Sequence, residues 1–354
     1  MQIGVYTFAD IGTHPITGEN ISAHTRIANL LEEIELADQL GLDVFAVGEH
    51  HRPDYSVSAP AVILAAAAVK TKQIKLSSAV TVLSSEDPVR VYQEFSTVDL
   101  LSSGRAEIMA GRGSFIESFP LFGYSLSDYD DLFSEKLEML IRINQTEKVN
   151  WRGTKHTQSL NNVGVYPRPY QEHLPLWIAV GGTPESVERA ASFGLPMALA
   201  IIGGAPDRFI PFADLYKQVY KTSGHDVSQM QISINSLTYI AGDAQQARDE
   251  YFPIYAASMG KIGKERGWPP ITRQQFDATT SAKGALMVGS PSEVVDKILY
   301  EHEIFGHTRF LAQISLGAMP HKQAMTAIEL LGTKVAPVVK KYLASSKKEL
   351  VSQQ

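Results

Sequence analysis

Short apolar runs alternate along the chain with longer segments whose apolar residues recur at helical spacing. Residues 3–8 form the first apolar run, which is typical of a buried strand, and the helical periodicity that follows it stops at Gly41. The same succession of strand and helix then repeats. The predicted strands are residues 3–8, 43–48, 74–83, 106–111, 176–180, 197–202, 232–240 and 309–315. This alternation predicts an α/β protein built on a parallel sheet.

Eight such units predict one (β/α)8 TIM barrel, with residues 1–354 as a single domain. Two stretches interrupt the alternation, at about residues 145–175 after strand 4 and 251–288 after strand 7, and we expect both to be lid-like insertions. The second is expected to be irregular between Gly263 and Pro270. A dinucleotide-binding fold is disfavoured because Gly111-Arg112-Gly113 follows the fourth strand and has Ile116 in place of the third glycine.

Two helix starts are specified by their residue types. Asp87 and Ser290 each precede a proline, which suits an N-cap followed by the first helical position. Glu293 stands three positions after Ser290 and completes a capping box.

The amino-acid composition excludes or disfavours several kinds of chemistry and of binding partner. The chain has no cysteine, which excludes disulfides, thiolate nucleophiles and cysteine-bound metals, so redox chemistry needs a bound cofactor. The net charge is −6 and lysine and arginine form no cluster, which disfavours nucleic acid as a partner. The longest apolar run, residues 59–69, is too short to span a bilayer, and the first residues lack a basic leader. We therefore expect a cytoplasmic protein with no membrane association.

The loop after strand 2 carries the catalytic candidates. Active sites of TIM barrels lie at the carboxyl ends of the strands, so Glu49 and His50 of the sequence Glu49-His50-His51 are the predicted catalytic residues. A salt-bridged surface loop is the alternative. Adjacent residues at a strand end point to opposite sides, so His50 and His51 do not easily share one ion, and we expect no metal site.

The loops after four further strands are candidates for cofactor binding. Glycines and an arginine after strand 4 suit a phosphate, and the turn after strand 5 can begin a helix whose free amides favour an anion. An ordinary helix cap explains that turn equally well, and a tight turn is the alternative after strand 6. The candidate residues are Ala79, Val80 and Thr81 in the last part of strand 3, Gly111, Arg112, Gly113 and Ser114 at the end of strand 4, Gly181, Gly182 and Thr183 after strand 5, and Ile202 and Gly203 at the end of strand 6.

Taken together, these stretches resemble the bacterial luciferase-like family of flavin-dependent monooxygenases from Ile3 to about Leu343. The order and spacing of several short motifs carry the resemblance. They are Glu49-His50-His51, Ala79-Val80-Thr81-Val82-Leu83, Asp87-Pro88-Val89-Arg90, Asp99-Leu100-Leu101-Ser102-Ser103-Gly104-Arg105, Gly111-Arg112-Gly113 and Gly194-Leu195-Pro196-Met197.

The resemblance implies specific positions around a flavin. Arg112 and the turn Gly181-Gly182-Thr183 would hold the flavin phosphate, His50 would lie near the reactive edge of the isoalloxazine, and the peptide between Ala79 and Val80 would be cis. The luciferase catalytic subunit has a reactive cysteine where Gly111 stands here, so light emission is not implied.

The expected function is that of a monooxygenase that uses reduced FMN, supplied by a separate flavin reductase, and O2 to oxidise a small organic substrate. A hydride-transferring oxidoreductase that uses the deazaflavin coenzyme F420 is the first alternative, and a non-catalytic flavin-binding protein is the second. The predicted helix at residues 59–69 is apolar almost all round, which favours a homodimer.

Overall fold

Eight parallel strands close into a barrel in a computed structural model, which describes the backbone of residues 1–352 and the side chains of residues 1–346. Each strand pairs with the next in the chain, and the last pairs with the first, where Gln2 is aligned with Arg309. The strands are β1 (Gln2–Thr7), β2 (Val44–Val47), β3 (Lys75–Ser78, resuming as Thr81–Val82), β4 (Ala106–Gly111), β5 (Leu176–Val180), β6 (Met197–Ile201), β7 (Ile232–Ile240) and β8 (Arg309–Gln313). The predicted TIM barrel is confirmed.

Helices surround the barrel on the outside. They are α1 (Ala23–Gln39), α2 (Pro60–Lys70), α3 (Pro88–Ser102), α4 (Tyr129–Gln145), α5 (Pro184–Ser192), α6 (Ile210–Thr222), α7 (Ala244–Arg266), α8 (Arg273–Thr280), α9 (Pro291–Phe305), α10 (His321–Leu330) and α11 (Ala336–Ser352). A short helix, Ser118–Phe122, precedes α4, and a π-helical segment, Leu331–Val335, joins α10 to α11. Single 3-10 turns lie at Leu126–Asp128, Pro206–Phe209 and Val227–Gln229.

Two helices begin as their sequences predict. The carboxylate of Asp87 accepts hydrogen bonds from the amides of Val89 and Arg90 at the start of α3. Ser290 and Glu293 form the reciprocal capping box of α9, with Pro291 at the first helical position.

The third strand is interrupted, so the prediction of one continuous strand over residues 74–83 is wrong. The peptide between Ala79 and Val80 is cis, as the family resemblance implies. Regular pairing stops at Ser78 and resumes at Thr81 because the intervening residues leave the extended conformation.

The first insertion contains a two-stranded antiparallel hairpin, Lys148–Trp151 with Leu160–Gly164. Its turn lies beside α4, where the Thr154 hydroxyl donates to Glu135 and the Lys155 ammonium pairs with Asp128 at 2.7 Å. These contacts attach the hairpin to the flank of the barrel.

The second insertion is more regular than its sequence indicates, and the prediction of an irregular segment from Gly263 to Pro270 is wrong up to Arg266. Helix α7 continues to Arg266 because Tyr251, Ile254 and other residues on one face are buried against the barrel. Beyond it, α8 and a short strand, Met287–Gly289, which pairs with β7, lead into α9. None of the helices within residues 1–352 combines the length and apolar character needed to cross a membrane.

A buried ion pair lies at the amino-terminal end of the barrel interior. The Arg309 guanidinium, in a residue 1% exposed, donates to both carboxylate oxygens of Glu107 at 2.7 and 3.1 Å and stacks over the ring of Trp177 at 4.1 Å. Lys75 reaches the same carboxylate from the surface at 2.8 Å. Burial alone would raise the pKa of Glu107, but Arg309 and Lys75 lower it below its ordinary value.

We expect Arg309→Met to destabilise the fold by about 3–5 kcal/mol, because it leaves a buried carboxylate with one peripheral partner. Lys75→Met is the control and should cost less than about 1 kcal/mol, because Lys75 is partly exposed. Urea denaturation followed by circular dichroism at pH 7 compares the two.

The same ion pair makes the stability of the fold depend on pH. Since the folded-state pKa of Glu107 lies below its ordinary value of 4.5, its contribution is present above pH 4.5 and is lost as the pH falls below it. The difference between wild type and Arg309→Met should therefore shrink on acidification. Equal destabilisation by both substitutions, at every pH, would contradict this role.

Candidate active site

A cavity of about 270 Å³ opens at the carboxyl ends of the barrel strands. Its volume is near the lower end of small-molecule sites, which begin at roughly 300 Å³. Most of the predicted site residues line it, because parallel strands bring their following loops to one rim. The predicted residues in the lining are Glu49, His50, Ala79, Val80, Gly111, Arg112, Gly113, Ser114, Gly181 and Ile202. Thr81, Gly182, Thr183 and Gly203 are not part of the lining.

One end of the cavity presents hydrogen-bond donors for an anion. The Arg112 guanidinium donates to the hydroxyl of Ser186 at 2.8 Å and reaches Thr183 Oγ1 at 3.5 Å. Its other terminal nitrogen pairs with Asp130 at 2.6 Å, and the guanidinium lies 4.9 Å from the ring centre of Tyr129. Asp130 thus holds the arginine at the first turn of α5.

The start of α5 adds backbone donors to this end. Thr183 is the N-cap residue and Pro184 occupies the first helical position, but no side chain caps the helix. The alternative explanation of this turn, an ordinary cap by the Thr183 side chain, does not apply, because that hydroxyl is hydrogen-bonded to Ser186 Oγ at 2.9 Å. The partial positive charge at a helix start without a side-chain cap favours an anion.

Small apolar residues form the walls farther inside. The cis peptide of Ala79 and Val80 lies on one side, and Ala179, Ala198 and Ala200 contribute from β5 and β6. A Cβ atom at Gly111 would come within 2.9 Å of the Val80 side chain, so only glycine fits there. A narrow slot between small side chains accepts a flat ring system.

His50 lies at the mouth of the slot, inside an aromatic cluster. Its ring centre is 4.5 Å from that of Phe8, 4.3 Å from that of Tyr55 and 5.0 Å from that of Phe115. Only 7% of the residue is exposed. Burial, together with the positive charge of Arg52 and the neighbouring His51, lowers the pKa of His50 to about 3. The imidazole is therefore uncharged at neutral pH.

His51 points away from the cavity, as the alternation at a strand end predicts. Its Nε2 is 2.8 Å from Glu49 Oε1, and the other carboxylate oxygen of Glu49 accepts the amide of Val82 at 2.9 Å. The hydrogen bond to Glu49 raises the pKa of His51 above its ordinary value. His50 lines the large cavity and His51 does not, although both border a small pocket beside it.

Polar residues of the barrel wall also face the cavity, and the sequence analysis missed them. The Tyr6 hydroxyl donates to the Gln313 side chain at 2.8 Å, and Asn235 accepts a hydrogen bond from Ser233 at 2.8 Å. The signal was a polar residue inside an apolar strand, since burial there requires a hydrogen-bond partner. Ser186 was also missed, although it lies in the first turn after Thr183.

The family model described as luciferase-like monooxygenase matches residues 1–308. A protein of Sinorhizobium fredii, y4wF, is 34% identical over 301 residues, which are 83% of this chain and 86% of that one. The alkanal monooxygenase alpha chain of Photorhabdus luminescens is 27% identical over 216 residues, 60% of this chain and 59% of that one.

Solved structures of this type superpose over nearly the whole chain. Monooxygenase RslO1 from Streptomyces bottropensis has a TM-score of 0.81 and 25% identity and covers 95% of this chain and 99% of its own. The oxygenating constituent of 3,6-diketocamphane monooxygenase from Pseudomonas putida, in complex with FMN, has a TM-score of 0.74 and 18% identity, with 95% and 98% covered.

The coenzyme F420 dependent tetrahydromethanopterin reductase from Methanopyrus kandleri has a TM-score of 0.73 and 19% identity, with 96% and 99% covered. At these identities the last two structures show the shared barrel alone. The family match over most of the chain is decisive: this protein belongs to the luciferase-like monooxygenase family.

Proposed function

We propose that the protein is a monooxygenase that binds reduced FMN in the barrel-mouth cavity and uses O2 to oxidise a small organic substrate. The observation that carries the proposal is the pairing of an anion site at Arg112 with a narrow apolar slot in one cavity. FMN has the same two parts, a phosphate and a flat ring system. The membership of the luciferase-like family supports this assignment.

The hydrogen-bond donors at one end of the cavity suit a phosphate group. Arg112, Ser186 and the uncapped start of α5 would bind the phosphate oxygens, and Asp130 would keep the guanidinium oriented. A charge-assisted bond to phosphate is worth more than one between neutral groups.

The ring end would position the reactive part of the cofactor. Reduced FMN supplies two electrons to O2, of which one oxygen atom enters the substrate and the other leaves as water. The slot between Val80 and the alanines of β5 and β6 would hold the ring and exclude water from it. His50 would offer an uncharged imidazole as a hydrogen-bonding group at the mouth, and Glu49 lines the same cavity.

Reduced FMN would come from a separate flavin reductase. The name of the Pseudomonas putida structure, an oxygenating constituent, supports such a division of labour. We place both proteins in the cytoplasm.

A second candidate is a hydride-transferring oxidoreductase that uses coenzyme F420. The Methanopyrus kandleri structure shares the barrel, and the anion site at Arg112 also suits the phosphate of a deazaflavin. Titration of the protein with reduced FMN and with reduced F420 separates the two. A purely flavin-binding protein is disfavoured because the Glu49 and His51 pair is not needed for binding alone.

Arg112→Ala should weaken FMN binding by about 1.5–3 kcal/mol, roughly 10- to 150-fold, because a charge-assisted bond to the phosphate is lost. Riboflavin lacks the phosphate and should bind the variant almost as well as the wild type. Arg142→Ala, which removes an exposed arginine at the end of α4, is the control and should change neither affinity. Equal weakening of both flavins would place the phosphate elsewhere.

His50→Ala should retain FMN binding and lower turnover about 10²- to 10⁴-fold, the range expected for a group that moves or holds a proton. His50→Gln separates two roles, because glutamine keeps a hydrogen-bonding group but cannot titrate. Substantial recovery in His50→Gln is expected, since the native imidazole is uncharged at neutral pH. Stopped-flow oxidation of the bound flavin gives the rates, and unaltered rates in His50→Ala would remove His50 from the mechanism.

The homodimer stays a prediction, and we expect it to form through exposed apolar side chains of α2 and α3. Val62 and Val69 are 67% and 70% exposed on the outer face of α2, and Leu100 and Leu101 are exposed on the adjoining α3. We expect Val69→Glu to dissociate the dimer, because it buries a charge in an apolar contact.

Sedimentation at micromolar concentration tests the dimer. Val227→Glu places the same charge at an exposed valine of a distant turn and should leave the dimer intact. A monomeric wild type would refute the prediction.

A further inference from the structure

The proposed function, on which this inference rests, needs a proton supply that the site as described lacks. Without an organic substrate, bound anionic reduced FMN would supply two electrons to O2, and H2O2 would be the product. The peroxide takes up two protons, of which one comes from the flavin and the other from solvent. His50 is uncharged at neutral pH and enclosed by aromatic rings, so it does not bring that proton in.

Glu49 lies between His51 and the barrel-mouth cavity, which is the flavin cavity of the proposed function. The residue is buried and lines the cavity, yet its carboxylate is fixed from two sides, by His51 Nε2 at 2.8 Å and by the Val82 amide at 2.9 Å. His51 is almost wholly enclosed as well, with the ring of Phe122 at 5.2 Å. A proton on His51 can therefore reach the flavin cavity through one carboxylate.

A small chamber lies directly behind this pair. It measures about 10 Å³, and the residues that line it are Glu49, His50, His51, Val82, Gly113, Phe115, Glu117 and Ser118. The hydroxyl of Ser118, a residue 3% exposed, and Glu117 Oε2 are buried there without a hydrogen-bond partner among the described residues. A chamber of roughly 10–15 Å³ with several polar atoms is the kind of place that holds one ordered water.

We propose that Glu49 and His51 carry protons between the flavin cavity and a single water bound by Ser118 and Glu117, and that this water connects the pair to the rim of the barrel. Glu117 leads outward, because its other carboxylate oxygen pairs with Arg52 at 2.6 Å and its side chain is partly exposed. His51 is thus the imidazole that carries the proton in from the rim, and His50 is the uncharged hydrogen-bonding group inside the cavity.

The charges around His51 favour this role. Glu49 from its own loop, Glu86 from the loop after β3 and Glu117 from the segment before the short helix all face it, and the hydrogen bond to Glu49 raises its pKa above the ordinary value. Two further groups of the same loop, the imidazole of His50 and the cation of Arg52, adjoin His51 in the chain.

The carboxyl group of Glu86 is half-buried and interacts with several charged groups. Burial and the neighbouring carboxylates of Glu49 and Glu94 raise its pKa to about 7, against the opposing effect of His51 and Lys136. Titration of Glu86 is therefore expected to modulate that of His51, because the two groups interact.

The direct test is the pH dependence of the oxidation of bound reduced FMN by O2, followed by stopped-flow absorbance and peroxide yield. The wild-type profile should show the ionisation of His51, whose pKa is measured independently by NMR of the imidazole in the protein without flavin. His51→Gln keeps a donor for Glu49 but cannot titrate, so it should abolish that ionisation and slow oxidation about 10²-fold or more. His173→Gln, at an exposed histidine, is the control.

The water is tested separately. Ser118→Ala should slow oxidation and change the solvent isotope effect while FMN affinity is retained. Ser96→Ala removes a buried hydroxyl on α3, away from the small chamber, and should alter neither quantity.

The outcomes distinguish the two proposals. A wild type that binds no reduced FMN would overturn the proposed function and, with it, the use of the path. A wild type that oxidises FMN with a profile and rate that His51→Gln leaves unchanged would overturn the proton path alone. A normal solvent isotope effect in Ser118→Ala would remove the water from the path.

Discussion

Parallel closure of the eight strands is the constraint on which the site depends. When the last strand pairs with the first in the same direction, every strand ends at one rim, and each following loop begins there. Residues as distant in the chain as Tyr6 and Gln313 then share a hydrogen bond inside the same cavity. The buried pair of Glu107 and Arg309, with Arg309 stacked on Trp177, occupies the opposite end of the barrel interior.

The rim divides into regions of different electrostatic character. At one side, Arg112 and the start of α5 concentrate hydrogen-bond donors, which attract an anion. At the other, aromatic rings enclose His50 and lower its pKa to about 3, so that side of the cavity carries no positive charge from the imidazole at neutral pH. Between them lies the apolar slot beside the cis peptide. A ligand with one anionic end and one flat neutral end fits this division.

Two adjacent histidines have unlike properties because the strand end turns them to opposite sides. His50 meets Phe8, Tyr55 and Phe115, and burial disfavours its charged form. His51 meets the carboxylate of Glu49, which favours the charged form. Two neighbours in the sequence therefore differ in charge preference, because burial favours the neutral form of His50 and Glu49 favours the charged form of His51.

The sequence by itself determined the barrel, most strand positions, the caps at Asp87 and Ser290, and the loops that carry the site, because periodicity and capping are local properties. Its family motifs also indicated the cis peptide at Ala79 and Val80. The tertiary structure alone decided which loop residues converge. It joined Ser186 to Arg112, bonded the Thr183 hydroxyl to the Ser186 side chain, extended α7 to Arg266 by burial of one face, and gave the two histidines different surroundings. These outcomes depend on contacts between residues far apart in the chain, and no local pattern encodes such contacts.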